Sequence, residues 1–334
     1  MPFQAGTATT TTDLLQQLVT FLVANGWTTD LSAAEGLGWR AHLHKSANYV
    51  HLRASENEHV WQNSNGNANG YSLNLYLGTA FTGANAWNNQ LTGSPVESGD
   101  PTKPVGAAMV TSAGPFSNYY FFTDATSDNV VIVVERTSGL FVYVGWGLSL
   151  VKAGVWTGGP YFFGSTSGYF ANTAAGGLPG FGLTSECPGC NSDPDGAPVV
   201  WVRADVDSFT GKWISLSPVI SPTLGYTGKT GGSSVFAIGG GSFSLPPISV
   251  PAYAAATANY FQSQQTSLQD GRANLLPILL WVLRDGTTTG FSPLGTIPNV
   301  FVSNGVGNGF SNASDYVIGA KTYRMFSNFA VAKQ

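Results

Sequence analysis

The densest run of strand-length apolar segments lies between residues 119 and 165. β-branched and aromatic residues fill residues 119–123 and 130–135, as is typical of strands, and turn-forming Asp, Ser and Asn residues separate them. A second turn precedes residues 140–150, which continue the pattern. Gly145 and Gly147 within that run indicate a bulge or a close-packed neighbour. The pattern predicts an antiparallel meander at the centre of a sheet.

Other segments show strand patterns of different kinds. Residues 71–78 alternate strictly between apolar and more polar side chains, which predicts a half-buried strand. Residues 38–55 predict two strands joined by a turn at residues 45–48. Further strands are predicted at residues 199–206 and 212–216, and at the apolar LLPILLWVL near residue 280.

Helical periodicity is clear in residues 13–24, where Leu14, Leu18 and Leu22 recur on one face. Thr12 or Asp13 can cap this helix, Asn25 and Gly26 end it, and Trp27 is a predicted anchor on the sheet. Its polar face carries Gln and Thr without Lys or Arg, which argues against a membrane-surface helix.

The predicted fold is therefore mainly β: an antiparallel sheet or sandwich-like core with one N-terminal amphipathic helix and long Gly-rich loops. The triple glycine at 239–241 and the prolines of SFSLPPISVP indicate a boundary, because proline cannot lie inside a sheet. We assign residues 1–248 to the helix and main β domain, and residues 249–334 to a C-terminal β segment that closes or extends the core.

Charge is sparse along the whole chain. Charged residues make up 10% of the sequence, against about 25% in typical globular proteins, and the 14 Lys and Arg residues do not cluster. This argues against direct nucleic-acid binding. No apolar run reaches the roughly 20 residues needed to span a bilayer, and the N-terminus lacks signal-peptide features, so we expect no membrane insertion and synthesis in a cytoplasm. A surface so poor in charge favours coverage by partner subunits.

Three histidines, His42, His44 and His51, lie on the predicted hairpin. Residues two apart share a strand face, so a cross-strand His51 could complete a three-imidazole metal site with the other two. The alternative is that they are ordinary strand residues. Because the sequence has neither HExxH spacing nor a carboxylate in register, we predict no metal and no cofactor.

Cys187 and Cys190 form a CPGC motif in a glycine-rich loop. It can be half of a zinc site, a redox pair, or a local disulfide or pair of free thiols. The chain has no other cysteines to complete a zinc site, so the last interpretation is the default, with redox switching as the alternative.

Carboxylate pairs suited to glycoside hydrolysis are poor in this sequence. The best pairs all lie in or beside predicted turns: Glu97 with Asp100, Asp193 with Asp195, and Asp205 with Asp207. No nucleophile-elbow, P-loop or dinucleotide-binding fingerprint is present. We predict that the chain is not an enzyme.

Four segments in order resemble a family of structural proteins of long-tailed bacteriophage virions. They are the N-terminal helix ending in NGW, YSLNLYLGTAFTGANAWNNQ, the block from YYFF to GGPYFFGS, and NLLPILLWVLRDGTTTGFSPLGTIPNVFV with YVIGAKTYRMF. The chain departs from the family at Tyr143, where a His is expected, and in the insertion that carries CPGC.

The resemblance implies a virion component, made and assembled in the host cytoplasm, at the neck, collar, tail or baseplate. We expect a multi-copy ring or sleeve whose partners are further copies and other tail or neck proteins. The alternative is a baseplate or fibre-associated module that binds a receptor or carbohydrate on aromatic platforms. Candidate interface aromatics are Trp87, Trp146, Trp156 and Tyr161.

Overall fold

In a computed structural model of the chain, the described residues are 1–58, 70–90, 93, 104–111, 113–124, 128–164, 166–169, 199–206, 209–216, 275–283, 291–303, 310–326 and 329–333. They form a mainly β structure of three antiparallel sheets with one helix near the N-terminus, as the sequence predicts. The helix is too short to cross a membrane, and no other part that the structure describes contains a spanning helix.

The central sheet contains seven strands in the order β1-β7-β8-β9-β11-β13-β14. β7, β8 and β9 follow one another in the chain and pair in that order, which confirms the predicted meander. The bounds of these strands are β1 Phe3–Ala8, β7 Phe116–Asp124, β8 Asn129–Thr137, β9 Leu140–Gly147, β11 Thr157–Gly164, β13 Val199–Val206 and β14 Phe209–Leu216.

The N-terminal sheet has the order β12-β6-β5-β4-β3-β2, and the C-terminal sheet has the order β10-β16-β19-β18-β17 with β15 paired to β16. The N-terminal sheet comprises β2 Thr28–Glu35, β3 Gly38–Lys45, β4 Asn48–Glu58, β5 Gly70–Gly78, β6 Val105–Val110 and β12 Thr166–Tyr169. The C-terminal sheet comprises β10 Val151–Lys152, β15 Leu275–Leu283, β16 Phe291–Ser303, β17 Asp315–Ile318, β18 Lys321–Met325 and β19 Phe329–Ala332.

The central sheet is covered on both faces. Phe121, Ile132 and Trp146 point to one side, where they pack with the helix and the inner face of the N-terminal sheet. Phe122 and Val133 point to the other side, where they pack with the C-terminal sheet. Because neither face meets water, both sets of alternating positions are apolar, and the strands appear in the sequence as continuous apolar runs.

Large rings on β11 fill the space above the two glycines of β9. Phe163 lies opposite Gly145, and Tyr161 lies opposite Gly147. A Cβ at Gly145 would lie 2.4 Å from Phe163 Cζ, and one at Gly147 would lie 2.3 Å from the Tyr161 hydroxyl oxygen. The prediction of a close-packed neighbour at these glycines is confirmed.

The helix, α1, spans Thr11–Ala24 and its N-cap is Thr10, whose hydroxyl accepts a hydrogen bond from the Asp13 amide. The prediction that Thr12 or Asp13 caps the helix is therefore wrong. Asp13 lies inside the first turn, where its carboxylate accepts from the Thr9 amide at 2.7 Å. The pair resembles a capping box, except that the carboxylate of the third helical residue accepts from the residue before the N-cap and not from the N-cap itself.

A buried polar contact joins the central and C-terminal sheets. The Tyr161 hydroxyl donates to Asn129 Oδ1 at 2.7 Å, and Asn129 Nδ2 donates to the Pro298 carbonyl at 2.7 Å. Asn129 is fully buried, so its amide has exchanged water for these two partners. The proposed boundary after residue 248 lies outside the described residues.

Candidate functional site

The polar positions of the N-terminal sheet meet on its outer face, away from α1. Arg40 pairs with Arg53 across β3 and β4, and His42 pairs with His51 in the next row. Tyr76 on β5 lies opposite His51. Alternation along each strand sends the Leu and Val side chains inward, which leaves these polar and aromatic groups on one outward-facing patch.

Residues 79–90, here called the strap, cover this patch. The Tyr76 hydroxyl donates to the Trp87 carbonyl, and Arg40 donates to the Asn85 carbonyl at 2.8 Å. Gln90 holds the strap together from within by bonding both the amide and the carbonyl of Thr82.

The prediction that β5 is half-buried is wrong, and the strap covers its Tyr76. Its outward-facing Ser72, Asn74 and Tyr76 are 8%, 0% and 0% exposed.

His42 and His51 form a direct hydrogen bond beneath the strap, with their Nδ1 atoms 2.7 Å apart. Both rings are fully buried, and the Phe81 ring of the strap lies against His42 at 4.8 Å between centroids. One Nδ1 must donate and the other accept, so the acceptor ring is neutral there. His42 Nε2 is buried and has no hydrogen-bond partner within the described part of the chain.

The environment of the pair disfavours positive charge. Burial, together with the nearby Arg40 guanidinium, lowers the pKa of His42 from 6.5 to about 3. Burial and the neighbouring His42 also hold the pKa of His51 well below its ordinary value, although a hydrogen bond with the Ala80 backbone acts in the opposite direction. At neutral pH the structure therefore contains two uncharged imidazoles that water and solutes do not reach.

Arg53 supplies the fixed charge beside the pair. Its side chain is 3% exposed and forms an ion pair with Glu58, while its guanidinium also donates to the carbonyls of Ala54 and Glu35. Arg40 forms an ion pair with Glu35 at 2.9 Å. The two cations are thus balanced by Glu35 and Glu58, and among the described residues no other carboxylate faces the histidines on this side.

The three histidines do not converge on one point. His44 bonds to Asp30 at 2.9 Å, away from the His42–His51 pair, and no cluster of three potential ligands that could hold a metal occurs among the described residues. The 2.7 Å separation of the two Nδ1 atoms also leaves no room for an ion between them. The chemistry open to the pair is the sharing and uptake of protons.

Three of the four candidate interface aromatics are interior residues of the single chain, whereas a side chain that contacts a partner has to be exposed. Trp146 and Tyr161 are fully buried in the central sheet, and Trp87 is 2% exposed because it packs on Tyr76. Trp146 and Tyr161 are buried because the central sheet is covered on both faces. Trp156 is half-buried, with its Nε1 donating to the Leu294 carbonyl at 3.0 Å.

Several other predicted site residues lie outside the described residues. They are Cys187, Cys190, Glu97, Asp100, Asp193, Asp195 and Asp207, together with the side chain of Asp205. Tyr143, which stands where the resembled family is expected to have His, is buried and packs against Phe329 at 5.3 Å between ring centroids.

Sequence reasoning missed the contributions of Arg53, Tyr76 and Gln90 to this site. The available signal was that Arg40 and Arg53 share the strand face of His42 and His51, because each lies two residues from a histidine. No comparable signal marked the strap, because its composition is that of an ordinary polar loop.

No protein-family model matches this sequence, and no curated protein shows significant similarity to it.

Proposed function

We propose that the chain is a structural subunit of a tailed-bacteriophage virion, assembling in several copies as a ring or sleeve at the neck, collar or tail. The order of the four segments described above supports this class. The observation that carries the proposal is an apolar loop, residues 148–156, whose exposed side chains are held on a fixed backbone.

The apolar loop joins β9 to β11 and presents Val151 and Val155, which are 60% and 107% exposed. Its backbone is fixed at two points: β10 pairs with β16, and the Ala153 amide donates to the Leu294 carbonyl at 3.0 Å. Apolar side chains on a restrained backbone lose little conformational entropy when a partner covers them. The loop therefore suits a repeated protein–protein contact.

Titratable groups in the described residues serve the fold itself. Glu35, Glu58, Asp128 and Asp315 pair with Arg or Lys side chains, and Asp30 pairs with His44. This arrangement supports a structural role over a catalytic one, because a general acid or base must be free to reach a substrate.

The alternative is a carbohydrate-binding module that uses aromatic platforms. Its candidate platforms are Trp146, Trp156 and Tyr161. Trp146 and Tyr161 are interior residues, and Lys152 Nζ lies 4.6 Å above the ring of Trp156. These positions favour the assembly role.

The test is a charge placed on the apolar loop. Val155→Asp should leave the circular dichroism spectrum unchanged and abolish incorporation of the chain into virions, scored by antibody labelling of particles in electron micrographs. Val317→Asp is the matched control, since Val317 is 73% exposed on β17 at a different site. If Val155→Asp is incorporated into normal particles, or if both variants lose incorporation equally, the apolar loop is not the assembly contact. Normal particles that fail to adsorb to host cells would favour the receptor-binding alternative.

A further inference from the structure

Beyond an assembly role, the outer face of the N-terminal sheet contains a group of residues that respond to acid. We propose that His42 and His51 are a proton-sensitive latch, whose protonation releases the strap from the N-terminal sheet while the three sheets stay folded.

The strap contacts the sheet without forming a β ladder with it. None of residues 79–90 belongs to a strand, and its contacts include the rows of His42–His51 and Arg40–Arg53 and a bond from the Trp87 amide to Glu35 Oε1 at 3.4 Å. Phe81 lies on His42, the Trp87 carbonyl accepts from Tyr76, and the Asn85 carbonyl accepts from Arg40. A segment held in this way can open without breaking a β ladder.

Proton uptake is incompatible with the closed arrangement. The first proton places a charge in a fully buried site, and the second makes both Nδ1 atoms donors, so the hydrogen bond between them is lost. Two adjacent imidazolium rings also repel each other. Both costs disappear when the strap opens and water reaches the rings.

The charged groups that the described part of the chain places around the pair offer no compensation. β3 contributes Arg40 and β4 contributes Arg53, both positive, and the carboxylates of Glu35 on β2 and Glu58 on β4 are engaged by these two arginines. β5 contributes the phenol of Tyr76, and the remaining pair, Asp30 with His44, lies beyond His42 on the sheet. The strap itself, TAFTGANAWNNQ, has no ionisable side chain.

The difference in proton binding between the open and closed strap determines how strongly the opening equilibrium depends on pH. In the open state each histidine takes up a proton near its ordinary pKa of about 6.5, whereas the closed state excludes it. The equilibrium between open and closed strap therefore shifts by up to about tenfold per pH unit for each histidine below that value. The device favours the closed strap at neutral pH and the open strap in mild acid.

Hydrogen exchange measured by mass spectrometry tests the latch, with rates corrected for the intrinsic pH dependence of exchange. Between about pH 7 and about pH 5, protection of strap peptides should fall at least tenfold, while peptides from β8 and β9 keep theirs. The double variant His42→Asn with His51→Asn should give a strap whose protection does not change with pH. His44→Asn, on the same strand but bonded to Asp30, is the matched control and should behave as the wild type.

Strap protection that is independent of pH in the wild type would overturn the proposal, and so would simultaneous loss of protection in β8 and β9. If the double variant does not fold, the wild-type rings can be followed by nitrogen NMR of labelled histidine. His42 and His51 should become protonated in step with strap opening. Protonation while the strap peptides remain protected, or rings that stay neutral after the strap has opened, would contradict the latch.

Discussion

The ring of Phe163 on β11 occupies the space that a side chain at Gly145 on β9 would need. A Cβ at Gly145 would also lie 2.5 Å from the Val130 carbonyl oxygen, so the position is closed by backbone as well as by the ring. The glycine and the phenylalanine are therefore a matched pair within the central sheet.

Replacement of Gly145 by alanine should destabilise the protein, because neither the Val130 backbone nor the buried Phe163 ring can move freely. We expect a loss of about 1–3 kcal/mol in the free energy of unfolding, the usual cost of overpacking a core. Urea unfolding followed by tryptophan fluorescence measures it. Gly83→Ala is the control, since its Cβ would lie 3.7 Å from Phe81, an ordinary contact. Equal stability of the two variants would contradict the close fit.

The contact between the central and C-terminal sheets can be tested at Tyr161. Tyr161→Phe removes the donor to Asn129 and leaves a buried amide oxygen with one partner fewer, which should cost about 1–2 kcal/mol. Tyr316→Phe removes a hydroxyl whose bond to the Ser311 amide is exposed, so it should cost much less. Thermal unfolding of the two variants compares them directly, and a larger loss at Tyr316 would show that the buried contact contributes little.

Buried Arg53 should tolerate neither removal nor conservative exchange. Arg53→Met removes the cation paired with Glu58 and the side-chain donor to two carbonyls, and leaves Glu58 with the Leu37 amide as its donor, so we expect a loss of about 3–5 kcal/mol. Arg53→Lys should recover only part of this, because an ammonium cannot reproduce the planar donor set of the guanidinium. Chemical denaturation provides the measurement, with exposed Lys321→Met as the unaffected control.

The N-cap assignment can be tested by two threonines. Thr10→Ala removes the acceptor of the Asp13 amide and should cost about 1 kcal/mol. Thr12→Ala should have a smaller effect on the unfolding midpoint, because the Thr12 contact with Glu56 uses its backbone amide. The reverse order would restore Thr12 as the cap.

Stability should decrease in mild acid because of the histidine pair. The unfolded chain binds protons at an ordinary histidine pKa of about 6.5, whereas the pKa of His42 in the folded chain is about 3. Lowering the pH from about 6.5 to about 4.5 therefore favours unfolding, by up to about 1.4 kcal/mol per pH unit and histidine. The pKa values of Asp13 and Asp315 are lowered from 3.8 in the folded chain, so these two groups change the stability only near or below that pH, outside this window.

Urea midpoints across that window measure the effect, and the His42→Asn with His51→Asn variant should show a smaller decrease than the wild type. The decrease should also stop once the strap has opened, because the folded chain then binds the same protons as the unfolded one. The total decrease is then the free energy that holds the strap closed. An identical pH dependence in both proteins would assign the effect to other groups.

Much of the fold could be predicted from local pattern. Apolar runs separated by Asp, Ser and Asn turns gave the strands of the meander, and the spacing of Leu14, Leu18 and Leu22 gave α1. What could not be predicted is which layer covers which face. The sequence around Trp146 and Tyr161 does not distinguish them from exposed interface aromatics. They are interior residues only because sheets lie on both sides of β9 and β11.

The site could be predicted only in part, for a related reason. The predicted turn at residues 45–48 correctly put His51 across the hairpin from His42 and His44, and the structure adds that its partner is His42. The strap, in contrast, has no periodicity, and its place over Tyr76 depends on individual hydrogen bonds between distant residues. Periodicity gives the strand face of His44 but not its partner, Asp30, which lies on a third strand.

Burial of the central sheet between two layers also sets an order for synthesis. The helix and the N-terminal sheet, which cover one face, come mostly from segments that precede the meander. The other face is covered by β16–β19, which follow residue 290. A chain leaving the ribosome at about 5–20 residues per second thus completes β7–β11 on the order of ten seconds before β16 appears. During that interval Tyr120, Phe122 and Val133 have no cover from the C-terminal sheet. The nascent protein is then most exposed to aggregation, and a chaperone that binds aromatic strand surfaces would have its greatest effect at that stage.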